Sequence, residues 1–199
     1  MGKTNKLQHL RSEIDRIDSD IYNLLLERLE IVAQVGEFKK SQGEGYKTII
    51  RPKRERDMVL SLYRKALDEG FSDKIARGVA LIWRDIIALS VNYEENARIA
   101  LNPSDFVAKS AGENYFGSYS EFLHCESAFE ALNRLIENEV TVCVLSKQDF
   151  IAVKAGLDKY NLNASEIDKI RVFARLPFFE VEVDGLDEVA VCLAKVPEE

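Results

Sequence analysis

Apolar side chains recur at heptad spacing through the first part of the chain. Leu7, Ile14, Ile21 and Val35 fall in one register, and Leu10, Ile17, Leu24, Ile31 and Phe38 in the other. The pattern predicts one long helix, from about Asn5 to Ser41, with a narrow seam that a partner helix must cover. The first register calls for an apolar side chain at position 28, and the residue there is Arg28. A guanidinium in a buried seam is costly unless something anionic meets it. A helix this long exceeds what a small single-layer domain uses alone, which predicts an oligomer.

Gly43 and Gly45 interrupt the heptads. A second helix is predicted from Pro52, a favourable first-turn residue, to about Asp68, with Met58, Val59, Leu60, Leu62, Tyr63 and Ala66 as its apolar positions. Gly70 ends it. Ser72 reads as the N-cap of a third helix reaching about Ala97, with Ile75, Val79, Ile82, Ile86, Leu89 and Val91 as its buried stripe. Asn102-Pro103-Ser104 marks a domain boundary, and beyond it short β-rich runs alternate with helical ones. Phe106–Ala108, Val140–Leu145, Arg171–Leu176 and Glu188–Ala194 are predicted strands, and Glu180–Val183 a half-exposed edge strand. Tyr119–Glu139, with Phe122, Ala128, Leu132 and Ile136 on one face, and Lys147–Tyr160 are predicted helices. The expected fold is an all-α N-terminal domain of three helices over 1–101, followed by a small α/β domain over 104–199.

Composition adds boundaries to this picture. At 46% hydrophobic and 31% charged, the chain has the make-up of an ordinary globular protein. No apolar run approaches the roughly 18 residues of a membrane span, and Met1–Gln8 has no signal-peptide core, so a cytoplasmic protein is expected. Cys125, Cys143 and Cys192 are odd in number and lie among apolar neighbours, which predicts buried free thiols. With His9 and His124 far apart, neither a metal nor a cofactor is expected. The net charge of −7 is unevenly spread. Residues 1–103 carry 18 Lys and Arg against 16 Asp and Glu, and the remainder 9 against 18. The acidic second half argues against nucleic acid as a partner, while the first half suits a small anion if its cations converge.

Those cations cannot all converge within one chain. Arg28 and Lys39 share a helix face about 16 Å apart, a span that suits the two ends of a small dianion. Arg11 is about 25 Å from Arg28 along the axis, so it can act there only from an antiparallel copy of the helix. Arg54 and Glu55 stand in the first turns of the second helix, and Ser90 and Glu94 form an i,i+4 pair on the third. The plain alternative is a set of solvated charges, with Arg28 in a structural ion pair to Glu55 or Glu94.

Leu10-Arg11-Ser-Glu-Ile-Asp-Arg-Ile-Asp18, Leu24-Leu-Leu-Glu27-Arg28 and Val35-Gly36-Glu-Phe-Lys39-Lys together resemble the first helix of the all-helical chorismate mutases. Arg54-Glu55-Arg56 and Trp83-Arg-Asp-Ile-Ile-Ala-Leu-Ser90 extend the resemblance over about residues 5–97. It implies an intertwined homodimer that rearranges chorismate to prephenate in aromatic amino-acid biosynthesis. It further implies that Arg28 and Arg54 grip carboxylates, with Arg11 doing so from the other subunit. Lys39 would reach the ether oxygen and a carboxylate, Glu55 the ring hydroxyl, and Ser90 the ring carboxylate. A Claisen rearrangement needs no nucleophile or metal, only a folded dianion and fixed donors at the ether oxygen.

The chain departs from the family where an aspartate commonly precedes the second-helix arginine by three residues; here that residue is Arg51, and the pocket's ligand could differ accordingly. An isochorismate–pyruvate lyase on the same scaffold, or a non-catalytic metabolite-binding regulator, are the alternatives. In the second half, Tyr115-Phe-Gly, Ser127-Ala-Phe-Glu-Ala-Leu and Val142-Cys-Val-Leu resemble fragments of a prephenate dehydratase. That segment is about half the expected length, and Ser146-Lys-Gln-Asp-Phe and Ala174-Arg175-Leu176 stand where its signatures would be. A reduced, non-catalytic lobe is expected. Glu94 also replaces a common glutamine, and a carboxyl group can donate to an ether oxygen only when protonated. Turnover should therefore rise towards acidic pH, and Glu94→Gln should move the optimum towards neutrality. A pH–rate profile for the parent chain that is flat between about pH 5 and 8 would contradict this.

Overall fold

The computed structural model describes residues 2–41, 51–95, 97–156 and 169–195. The chain divides into two compact units, Met1–Gly45 and Tyr46–Glu199. The first is a single helix, α1 (Gly2–Ser41). Its heptad positions are exposed in both registers, from Val35 at 45% to Phe38 at 65%. Arg28 and Lys39 are half-buried and Arg11 is exposed. The predicted interruption at Gly43 and Gly45 lies outside the described residues.

The second unit opens with α2 (Pro52–Asp68) and α3 (Asp73–Glu95). It continues as β1 (Arg98–Leu101), α4 (Phe106–Phe116), β2 (Glu121–His124), α5 (Ala128–Ile136), β3 (Val142–Ser146), α6 (Lys147–Gly156), β4 (Ile170–Leu176), α7 (Phe178–Glu182) and β5 (Ala190–Lys195). The five strands form one mixed sheet in the order β2-β1-β3-β5-β4. β1 pairs parallel with β2 and β3, while β5 runs antiparallel between β3 and β4. The central strands carry the core, and every residue of β3 is buried. One face of the sheet shares a core with Val59, Ala80, Ile87 and Val91 of α2 and α3 and with Tyr115 and Phe116 of α4. The other face is covered by Ala131, Leu132 and Leu135 of α5 and Val153 of α6. A helical N-terminal region followed by an α/β sheet domain is thus the architecture. Cys125, Cys143 and Cys192 are buried free thiols, as expected, and burial pushes all three above the ordinary thiol pKa.

Several elements differ from the sequence pattern, each for a local reason. Phe106–Ala108 begins a helix because Asp105 caps it, its side chain accepting from the amides of Val107 and Ala108 at 3.0 and 3.1 Å. The predicted Tyr119–Glu139 helix is a strand followed by a helix. Ser127 caps α5 by accepting from the Glu130 amide, and the Glu130 carboxylate accepts in turn from the Glu126 amide, a variant of the capping box. Glu180–Val183 belongs largely to the short helix α7, not to an edge strand. Four alternating residues after a proline are too few to specify a strand.

Arg98–Leu101, at the end of the predicted helical domain, is a strand of the sheet, with Ile99 and Leu101 fully enclosed. On α3 the buried stripe is Ala76, Ala80, Arg84, Ile87 and Val91, whereas Ile75, Val79 and Ile82 are exposed. In the first half of α3 the small Ala76 and Ala80 are the enclosed residues, and the larger Ile75, Val79 and Ile82 remain exposed. Because α2, α3 and β1 share one core, Ile99→Ala should destabilise the helices and the sheet together, by about 2–5 kcal/mol. Urea unfolding followed by circular dichroism and by Trp83 fluorescence checks this: the two probes should shift to the same lower midpoint.

Candidate active site

The eight candidate residues divide between the two units. Arg11, Arg28 and Lys39 belong to α1, and Arg51, Arg54, Glu55, Ser90 and Glu94 to the second unit. On α1, seventeen residues of helix separate Arg11 from Arg28, a span of about 25 Å that no small dianion bridges.

In the second unit the best-defined group is Glu55. Pro52 has no N–H to lose at the helix start, and Arg51 is the N-cap of α2. The Arg51 backbone N–H donates to Glu55 Oε1 at 3.0 Å. This satisfies one of the helix's otherwise unpaired amides and holds a carboxylate at the positive end of the helix dipole. The other oxygen, Oε2, accepts from Arg84 Nη1 of α3 at 3.0 Å, and both side chains are buried. The Arg84 guanidinium also lies over the Tyr115 ring of α4, 4.2 Å from its centroid. Burial pushes the Tyr115 phenol well above its ordinary pKa, so the ring beneath the cation is neutral. Glu55 is therefore fixed by α2 and α3, and α4 supports Arg84 from below. Each carboxylate oxygen has two lone pairs, so Glu55 retains capacity for a further donor such as a hydroxyl.

The neighbours of Glu55 are more open. Arg51 and Arg54 are exposed. Ser90 is buried, and its hydroxyl donates to the Ile86 carbonyl one turn earlier at 2.7 Å. Glu94, one turn further on, is half-buried. Arg84 and Tyr115 are absent from the candidate set although both contact this cluster. For Arg84 a signal was available: it falls at helical spacing with Ala76, Ala80, Ile87 and Val91, a cation on a buried stripe like Arg28 on its seam. Nothing local in the sequence marks Tyr115 as its partner.

Comparison with known proteins gives the class first. Residues 10–95 match the family model described as chorismate mutase type II, so this stretch carries a chorismate mutase domain. The particular relative follows. The bifunctional chorismate mutase/prephenate dehydratase of Aquifex aeolicus (strain VF5) is 29% identical over 126 residues, which is 61% of this chain and 33% of that protein. The chain thus spans about a third of the length of this curated relative. No solved structure matches the chain.

The buried pair makes a stability prediction. Glu55→Leu leaves the Arg84 cation buried without its anion and should cost about 3–5 kcal/mol. Adding Arg84→Met should recover much of that loss, because the pair is then replaced by apolar side chains. Urea midpoints of the two variants and the parent decide it. A double variant less stable than Glu55→Leu alone would contradict the pairing.

Proposed function

We propose that the chain is a chorismate mutase that rearranges chorismate to prephenate at a seam between two copies of α1. The observation that carries this is Arg28, a cation in an apolar heptad register, within a stretch that matches chorismate mutase type II. A seam used only for dimerisation has no use for a guanidinium at that position. The exposed stripe of α1 supports a homodimer, since covering it removes apolar surface from water. An antiparallel copy brings Arg11 of the partner towards Arg28.

In this reading Arg28 and Arg54 hold the carboxylates of the dianion by bidentate forks, with Arg11 from the partner. Ser90 binds the ring carboxylate, and Glu55, already fixed by Arg84 and the Arg51 amide, takes the ring hydroxyl. Lys39 donates to the ether oxygen as its charge develops, with Glu94 as the second catalytic group, which lowers the barrier without a metal or nucleophile. Arg51, at the start of α2, contributes to the hydroxyl side of the pocket. The α/β lobe is proposed to be non-catalytic. Buried free thiols suit a reducing, cytoplasmic setting. Among the described residues no helix is long and apolar enough to cross a membrane.

Incubation with chorismate, and separately with isochorismate, followed by substrate absorbance, tests the reading. Chorismate should be consumed, and Arg28→Ala should lower kcat about 10²–10³-fold. Turnover of isochorismate alone would favour the lyase, on which Arg51 bears. Turnover of neither would favour a metabolite-binding regulator.

A further inference from the structure

The turn that follows α4 reaches back to α3. The Ser120 N–H donates to the Gly117 carbonyl at 3.2 Å and closes the turn. Gly117 sits at φ +80°, and a Cβ there would lie 2.5 Å from the Tyr119 ring. Glycine is therefore required both by the backbone and by the ring that lies over it. Placed in this way, the Tyr119 hydroxyl donates to the Asp85 backbone carbonyl of α3 at 2.8 Å. Burial raises the phenol above its ordinary pKa, so this donor stays protonated.

Two turns further along α3, about 10 Å away, the same turn makes a second contact. Asn92 Nδ2 donates to Ser120 Oγ at 2.9 Å and to the Ala88 carbonyl at 2.9 Å, which uses both amide hydrogens. Ser120 is buried, and its hydroxyl donates in turn to the Phe116 carbonyl at 2.6 Å. The turn then enters β2, whose first residue, Glu121, is in register with Arg98, the first of β1. Their side chains pair at 3.1 Å. Apolar packing is non-directional, whereas hydrogen bonds weaken steeply once bent below about 120°. The bonds from Tyr119 and Asn92, two turns apart, therefore fix a rotation of α3 that its alanine-rich core face sets only loosely.

Asn92 stands two residues after Ser90 and two before Glu94, about 200° around the helix from each. The turn thus grips α3 on the side away from both. We propose that Asn92 is a positioning residue of the mutase site: through Ser120, and together with Tyr119 at Asp85, it sets the rotation of α3 and so the placement of Ser90 and Glu94. This role rests on the chorismate mutase reading above. It gives the α/β lobe a part in that reaction without any contact to the substrate.

Steady-state kinetics of the full chain with chorismate, well below every unfolding midpoint, test this. Asn92→Ala should raise KM at least about threefold, as Ser90 leaves its place, and lower kcat about tenfold, as Glu94 does. Tyr119→Phe removes only a hydroxyl from an exposed ring, so it keeps the fold should Asn92→Ala lose it. It should move KM and kcat in the same directions by less. Leu135→Ala, in the core on the other face of the sheet, is the stability control: its midpoint should fall with KM and kcat unchanged. A merely structural role for Asn92 would lower kcat through the folded fraction and leave KM alone. The proposal is overturned by an unchanged KM in both Asn92→Ala and Tyr119→Phe, or by a Leu135→Ala that shifts KM as far. An active parent with unaffected variants removes the positioning role alone. A parent that does not consume chorismate removes the mutase reading, and the positioning role with it.

Discussion

A helix of 40 residues, about 60 Å long, cannot keep an apolar stripe in water without cost, and α1 exposes one along both heptad registers. The proposed function depends on what covers that stripe. Each Val, Leu, Ile or Phe taken from water contributes about 1.5–3 kcal/mol. The seam offers nine such positions per chain, against one cation whose desolvation costs several kcal/mol. The apolar term is therefore large enough to carry Arg28 into a proposed dimer interface, and a dianionic substrate would offset what Arg28 loses there. Assembly and substrate binding become parts of the same arrangement.

The second constraint is the buried Glu55–Arg84 pair. Catalysis by fixed donors and acceptors requires that they do not reorganise as charge develops. Glu55 meets that requirement from two directions, the Arg51 amide at the start of α2 and Arg84 on α3, with the Tyr115 ring beneath Arg84. Tyr115 comes from α4, which packs on the sheet, so the α/β lobe supports the cluster through this ring. That gives the lobe a structural purpose even without chemistry of its own. It also explains why α2 and α3 share a core with β1 and β3 instead of forming a separate helical body.

The helical region was legible because its signals are long and repeated. Nine heptad positions define α1, and Pro52 and Gly70 frame α2 to the residue. The first half of the α3 stripe differs because Ala76 and Ala80 carry little hydrophobic weight, whereas Val91 is buried as the periodicity predicts. In the lobe the elements are four to eleven residues long, and capping outweighs composition. Asp105 turns the β-prone Phe106–Ala108 into a helix, and the Ser127–Glu130 cap divides what periodicity alone reads as one helix. β1 was hidden because Arg98–Leu101 is too short to alternate visibly; only its parallel partners reveal it. Of the candidate site, the residue types were legible, but the Arg84–Glu55–Tyr115 contact joins three helices and leaves no local pattern.

The most direct test of the shared seam is complementation between two inactive chains. Arg11→Ala and Arg28→Ala should each be nearly inactive alone. Unfolded together and refolded as an equal mixture, half of the dimers are mixed, and each mixed dimer holds one site with both arginines intact. The account predicts that the mixture recovers about a quarter of the parent activity. A mixture no more active than the separate variants, with mixed dimers shown to have formed, would contradict it.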